Sequence, residues 1–136
     1  MDKLEYISGD LVMVKKSALQ FAKDKIFKVI SSLSGGFLKV VMLNDSSTTY
    51  SISNNAIRPI PLTPEILEKN GWKNDGYDWY RLPTKRAYLY ITKDITTLGE
   101  FLVCVGLDRH NLASINFVHQ LQHLLFGLGI NSEMEV

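Results

Sequence analysis

The sequence holds a single cysteine, Cys104, among its 136 residues. No intramolecular disulfide can form, and a tetrahedral cysteine-based zinc site is excluded. Long hydrophobic runs are missing as well. No stretch approaches the ~20 apolar residues that span a bilayer, so no membrane segment is expected. The opening Met1-Asp2-Lys3-Leu4-Glu5 lacks an apolar run behind a basic start, so no secretory signal is expected either. Residence in the cytoplasm is the resulting expectation. An excess of one charge is also lacking: 15 Lys and Arg face 14 Asp and Glu, for a formal net charge of +1. That excludes a global pull toward nucleic acid or an anionic membrane, though not a local patch. Gly35-Gly36 is not followed by the Lys-Ser/Thr of a phosphate loop and reads as a turn. The chain shows no internal repeat and no low-complexity stretch.

Hydrophobic residues make up 46% of the chain, enough for a packed core. The length fits one compact domain or two small, closely joined modules. Residues 1–60 read as short strands between turn signals: Asp10–Val14, Ile26–Ile30, Phe37–Leu43, Thr48–Ile52 and Ala56–Ile60. Ser34-Gly35-Gly36, Asn44-Asp45-Ser46-Ser47 and Asn54-Asn55 supply the breaks. A small SH3-like barrel is the predicted shape.

Pro61 to Gly71 carries the sharpest local signal. Thr63 is an N-cap, Pro64 falls at the first helical position, and Glu65 sits in the first turn. Leu62 and Leu67 occupy the staple positions, and Asn70-Gly71 supplies the stop. Strands are predicted over Tyr77–Leu82, Ala87–Ile91 and Glu100–Leu107. A final helix is predicted from about Ala113 to Leu128, capped by Asn111 or Ser114. Its apolar stripe would be Phe117, Val118, Leu121, Leu124, Leu125 and Leu128. Asn131 to Val136 reads as a loose tail. The predicted class is therefore α+β: a β-rich half over 1–60, then an α-β-β-β-α half over 61–136 whose last helix docks on its sheet. The two halves are small enough to act as one domain.

Three segments carry a family likeness: Ile7-Ser8-Gly9-Asp10-Leu11-Val12, the stretch from Ile57 through Pro59-Ile60-Pro61-Leu62-Thr63-Pro64 to Gly71-Trp72, and Val118-His119-Gln120-Leu121-Gln122-His123-Leu124-Leu125-Phe126-Gly127-Leu128. In these the chain resembles small proteins encoded in phages, prophages and mobile elements of Bacteroides-type gut bacteria. The resemblance implies a shared fold, a bacterial or phage origin and a cytoplasmic site. It implies no activity.

Three groups of residues are candidates for chemistry. His119 and His123 stand four apart, a spacing that puts two imidazoles on one helix face, ~40° apart and off the predicted stripe. A zinc protease needs Glu after the first His as general base. Gln120 stands there instead and cannot take a proton, which removes that route. A plain metal site needs further ligands, and His110 alone precedes the helix. The blander reading is a pair of solvent-facing or interface histidines titrating near ~6.5. The second group is aromatic. Six of the eight Trp and Tyr residues fall between Trp72 and Tyr90, with Arg81, Lys85 and Arg86 interleaved. Alternation places Tyr88 and Tyr90 on an outer face and Leu89 and Ile91 toward the core. With Trp79, Tyr80, Arg81 and Arg86 they could stack on single-stranded nucleic acid or anchor a protein. The blander reading is cross-strand packing at ~0.2–1 kcal/mol a pair. The third group, Lys15, Lys16, Lys23, Lys25 and Lys28, suits phosphate contacts or a solvated loop. Cys104 lies in an apolar strand and reads as inert, and Asp108-Arg109-His110 reads as a turn.

Ile115 and Phe126 complete the set as apolar residues off the predicted stripe, suited to a partner or to self-association. The leading expectation is a non-enzymatic binding or accessory protein of a mobile element, without a cofactor, acting through protein contacts. Single-stranded nucleic-acid binding by the aromatic–basic face and metal binding by His119 and His123 are the alternatives.

Overall fold

The computed structural model describes residues 6–14, 25–43, 45–74, 76, 79–84, 87–93, 101–106 and 110–136. Lys15, Lys16, Lys23, Tyr77, Arg86, Asp108 and Arg109 lie outside the described residues. The chain divides into two compact units, Met1–Ile60 and Pro61–Val136.

The N-terminal unit opens on a turn that the sequence Ile7-Ser8-Gly9-Asp10 dictates. Gly9 adopts φ +97°, which the third position of such a turn requires and a side chain opposes. The Asp10 N–H donates to the Ile7 carbonyl at 3.1 Å, and Asp10 Oδ2 accepts the Ile7 N–H at 2.8 Å. The first bond closes the turn, and the second gives a partner to a buried carboxylate that would otherwise be costly. Strands β1 (Leu11–Val14), β2 (Ile26–Leu33), β3 (Phe37–Met42), β4 (Asp45–Ser53) and β5 (Ile57–Pro59) form one sheet in the order β4-β3-β2-β1-β5, antiparallel throughout. Alternate residues build its core: Val12, Val14, Phe27, Val29, Leu38, Val40, Ile52 and Ile57, with Phe27 and Tyr50 edge to face at 6.0 Å. The same alternation leaves Ile30 exposed, next to a register shift between Val29 and Ser31.

Two expectations change here. Residues 45–47, read as a turn, belong to β4. Met42 pairs with Asp45 and Val41 with Thr49, so a break in register absorbs the intervening polar residues. A barrel is not closed by the pairing: among the described residues no ladder joins β4 to β5, which the 3-10 turn Asn54–Ala56 separates in sequence.

The C-terminal unit begins with helix α1, Pro64–Lys69. Thr63 Oγ1 accepts the Ile66 N–H at 3.3 Å, and Leu67 is fully buried. The stop is a Schellman motif. Gly71 takes φ +88°, its N–H reaches the Glu68 carbonyl, and the Trp72 N–H reaches the Leu67 carbonyl at 3.1 Å. A sheet follows in the order β10-β9-β8-β7-β6, from β6 (Lys73–Asn74), β7 (Trp79–Pro83), β8 (Tyr88–Lys93), β9 (Phe101–Val105) and β10 (His110–Ile115). Helix α2 spans Val118–Gly127. The half is thus α-β-β-β-β-β-α, with two more strands than the predicted α-β-β-β-α.

β10 accounts for most of the disagreement. Its residues were expected to start the last helix, with Asn111 or Ser114 as cap. Ile115 instead pairs with Phe101, and Ser114 with Leu102. A register shift between Asn111 and Ala113 breaks the two-residue period that would betray a strand. The buried stripe of α2 is also rotated from the predicted one. Val118, His119, Leu121, Gln122 and Leu125 are buried, while Leu128 is exposed. The supposed loose tail is also fastened: Gln122 Nε2 donates to the Ser132 carbonyl at 3.2 Å, and Asn70 bonds Glu135 twice. Among the described residues, no helix is long and apolar enough to cross a membrane.

Candidate binding surface

Strand register decides which aromatic residues meet. Trp79 lies opposite Thr92, Arg81 opposite Tyr90, and Pro83 opposite Tyr88. These share one face of the sheet, which β9 extends through Cys104 opposite Tyr90. Tyr80 pairs with Ile91 and so belongs to the other face, with Leu89, Ile91 and Val103. Tyr80 therefore leaves the predicted aromatic site, because adjacent strand residues point to opposite faces.

On the shared face the side chains form a ladder. Trp79 meets Tyr90 edge to face at 6.2 Å, Tyr90 meets Tyr88 at 6.4 Å, and the Arg81 guanidinium carbon stands 5.0 Å from the centre of the Tyr88 ring. Exposure grades along it. Tyr90 is 5% exposed and Tyr88 42%. Tyr90 thus corrects the expectation of two outward tyrosines: it is covered at the centre of this face, while Tyr88 is open and Arg81 and Trp79 are half-buried. An arginine over an open tyrosine ring is the pairing that interface anchors favour. Cys104 is buried beside this ladder, and its thiol donates to Asn111 Oδ1 at 3.2 Å.

The Ile115 and Phe126 surface does not form. Ile115 is 5% exposed and sits on β10, while Phe126 is 70% exposed on α2. Moving Ile115 from a helix to a strand removes it from the phase that was to join it to Phe126.

The histidines do not both face solvent. His119 is 2% exposed; its ring lies 6.0 Å from Phe117, nearly parallel, and 5.5 Å from His123, nearly perpendicular. Burial first, and His123 second, lower its pKa from 6.5 to about 4. It is a neutral imidazole near neutral pH. Among the described residues, no group of three or more His, Cys, Asp or Glu is placed to hold a metal ion. Gln120, which follows His119 in sequence, serves the start of the helix. Its Oε1 accepts the N–H groups of Asn116 at 2.7 Å and Phe117 at 3.1 Å. A Gln at the third helical position is half of a capping box.

A cavity of about 940 Å³ opens where the ends of β8 and β9 meet the chain leaving α2, lined by Pro83, Leu89, Val105, Leu128 and Ile130 among others. Among the described residues, no charged side chain lines it. No family model matches the chain, and no curated protein matches it.

Proposed function

We propose that this is a non-enzymatic binding or accessory protein of phage or mobile-element origin, acting in the cytoplasm through protein–protein contacts at the Tyr88–Arg81 end of its C-terminal sheet. The origin and compartment rest on the resemblance carried by the Ile57–Trp72 and Val118–Leu128 segments. The contact surface rests on one observation: a ladder in which the buried Tyr90, edge to face with a half-buried Trp79, stands beside an open Tyr88 with the Arg81 guanidinium over its ring. Such an anchor is rigid before it binds, which lowers the entropy lost on association. A nucleic-acid platform needs successive open rings on which bases stack. Here Tyr90 is covered, and that favours a protein. The N-terminal sheet reads as SH3-like, with its barrel left open between β4 and β5; its strand order and the 3-10 turn between those strands support this.

Photo-crosslinking tests the surface. Tyr88→benzoylphenylalanine, expressed in a Bacteroides-type host, should give a discrete protein adduct that Arg81→Ala weakens. Tight, steeply salt-dependent binding of a single-stranded oligonucleotide, with no protein adduct, would replace this reading with the nucleic-acid one.

A further inference from the structure

The strap Asn131–Val136 is held through its main chain. Asn70 Nδ2 donates to the Glu135 carbonyl at 2.8 Å, and Asn70 Oδ1 accepts the Glu135 N–H at 2.8 Å. The same Nδ2 donates to the Ile66 carbonyl at 2.7 Å, which fixes the plane of the carboxamide on the last turn of α1. Lys69 Nζ donates to the Val136 carbonyl at 3.2 Å. Met134 is buried, while Glu133 and Glu135 on either side of it are exposed.

This is the way an extended peptide is read. Both main-chain groups of one residue are met by a preset carboxamide, the next carbonyl by a cation, and the preceding side chain is taken out of water. None of these contacts needs the side chain of Glu135 or Val136. A long, unbranched Met also adapts to an irregular seat better than any branched residue. We propose that the end of α1, through Lys69, Asn70 and the seat of Met134, is a peptide-recognition site occupied in this molecule by its own strap. In trans it takes an extended peptide with a flexible apolar residue just before the residue that Asn70 holds. The strap competes from a tethered, roughly millimolar effective concentration, so an outside peptide gains access when the strap is released.

The test uses the full chain and a labelled, acetylated and amidated hexapeptide of the strap sequence, Asn-Ser-Glu-Met-Glu-Val. Glu135→Pro removes the N–H that Asn70 accepts and leaves Lys69 and Asn70 in place. Met134→Ser is a second release variant that keeps every backbone donor. The peptide should bind either variant saturably, bind the unaltered protein about tenfold more weakly or less, and lose about tenfold when Asn70→Ala is added. Circular dichroism identifies a variant that has unfolded. Should one unfold, the other carries the comparison. Should both unfold, amide exchange at Glu135 in the unaltered protein decides, since a clamped N–H must exchange more slowly than in the free peptide. Equal binding with and without Asn70, no binding to a folded release variant, or free-peptide exchange at Glu135 each overturns the proposal.

Discussion

Phe117 caps α2 from an extended conformation, and its side chain carries no oxygen for the free N–H groups of the first turn. Gln120 compensates by reaching back, so that two donors just before the helix share its Oε1. The same residue cannot serve as the general base that a zinc-protease helix carries after its first histidine, because an amide takes no proton, and its oxygen is what the helix start uses. Gln120→Ala should therefore cost about 1 kcal/mol, the usual worth of a cap. Gln120→Glu keeps the acceptor and adds negative charge in the first turn. It should leave stability unchanged or raise it by about 0.3–1 kcal/mol. Urea denaturation of the three proteins checks this, and an alanine variant as stable as its parent would show that the two bonds carry no net energy.

At the scale of elements, β8 divides its tyrosines between two jobs. Tyr90 is central, with Cys104 across one flank and Arg81 across the other, and Trp79 edge-on to its ring. Tyr90→Ala should cost roughly 3–5 kcal/mol, as for other buried aromatics cut to alanine. Tyr88→Ala gives up an open ring and one cation–π contact, and should cost about 0.5–1 kcal/mol. Denaturation midpoints separate the two. A Tyr88 loss as large as the Tyr90 loss would mark the exposed ring as structural and undercut its role as an anchor. How much could be read in advance follows from how local each determinant is. Everything that makes α1 sits within ten residues of sequence: the Thr63 cap, Pro64, the Leu62–Leu67 staple and the Gly71 stop. That helix was legible almost to the residue. β10 was not, because its identity comes from pairing with β9 and a register shift hides its period. Ile115 goes with β10 and so leaves the helix, whereas the burial of His119 and Gln122 is set by what packs on that side of α2, which the helix's own sequence does not name. The face of Tyr88, Tyr90 and Trp79 followed from alternation, but the covering of Tyr90 depends on neighbours that one strand's sequence does not name. The strap was missed for the same reason, since Asn70 meets Glu135 across most of the C-terminal unit.

For the molecule as a whole, a described group with a shifted pKa in each unit makes stability depend on pH. In the C-terminal unit His119 has its pKa lowered from 6.5 to about 4, by burial and then by His123. The unfolded chain takes up this proton first, as pH falls through 6.5, while the folded chain resists until about 4. Stability is thus complete above 6.5, declines across that window, and levels off below it, for a loss on the order of 3 kcal/mol. In the N-terminal unit burial, and then the charge of Asp10, raise the Tyr6 hydroxyl from 10.0 to about 12. Here the sign reverses. The unfolded chain releases the proton first, so stability is complete below 10.0 and is lost as pH rises toward about 12. The stability profile should therefore be a plateau with two shoulders of separate origin. His119→Gln should flatten the acid shoulder and leave the alkaline one, and Tyr6→Phe should do the reverse. Thermal melts across the range decide it. A parent protein whose midpoint holds steady as pH falls from 6.5 to about 4 would mean that His119 meets water as readily folded as unfolded, against the burial that the fold gives it.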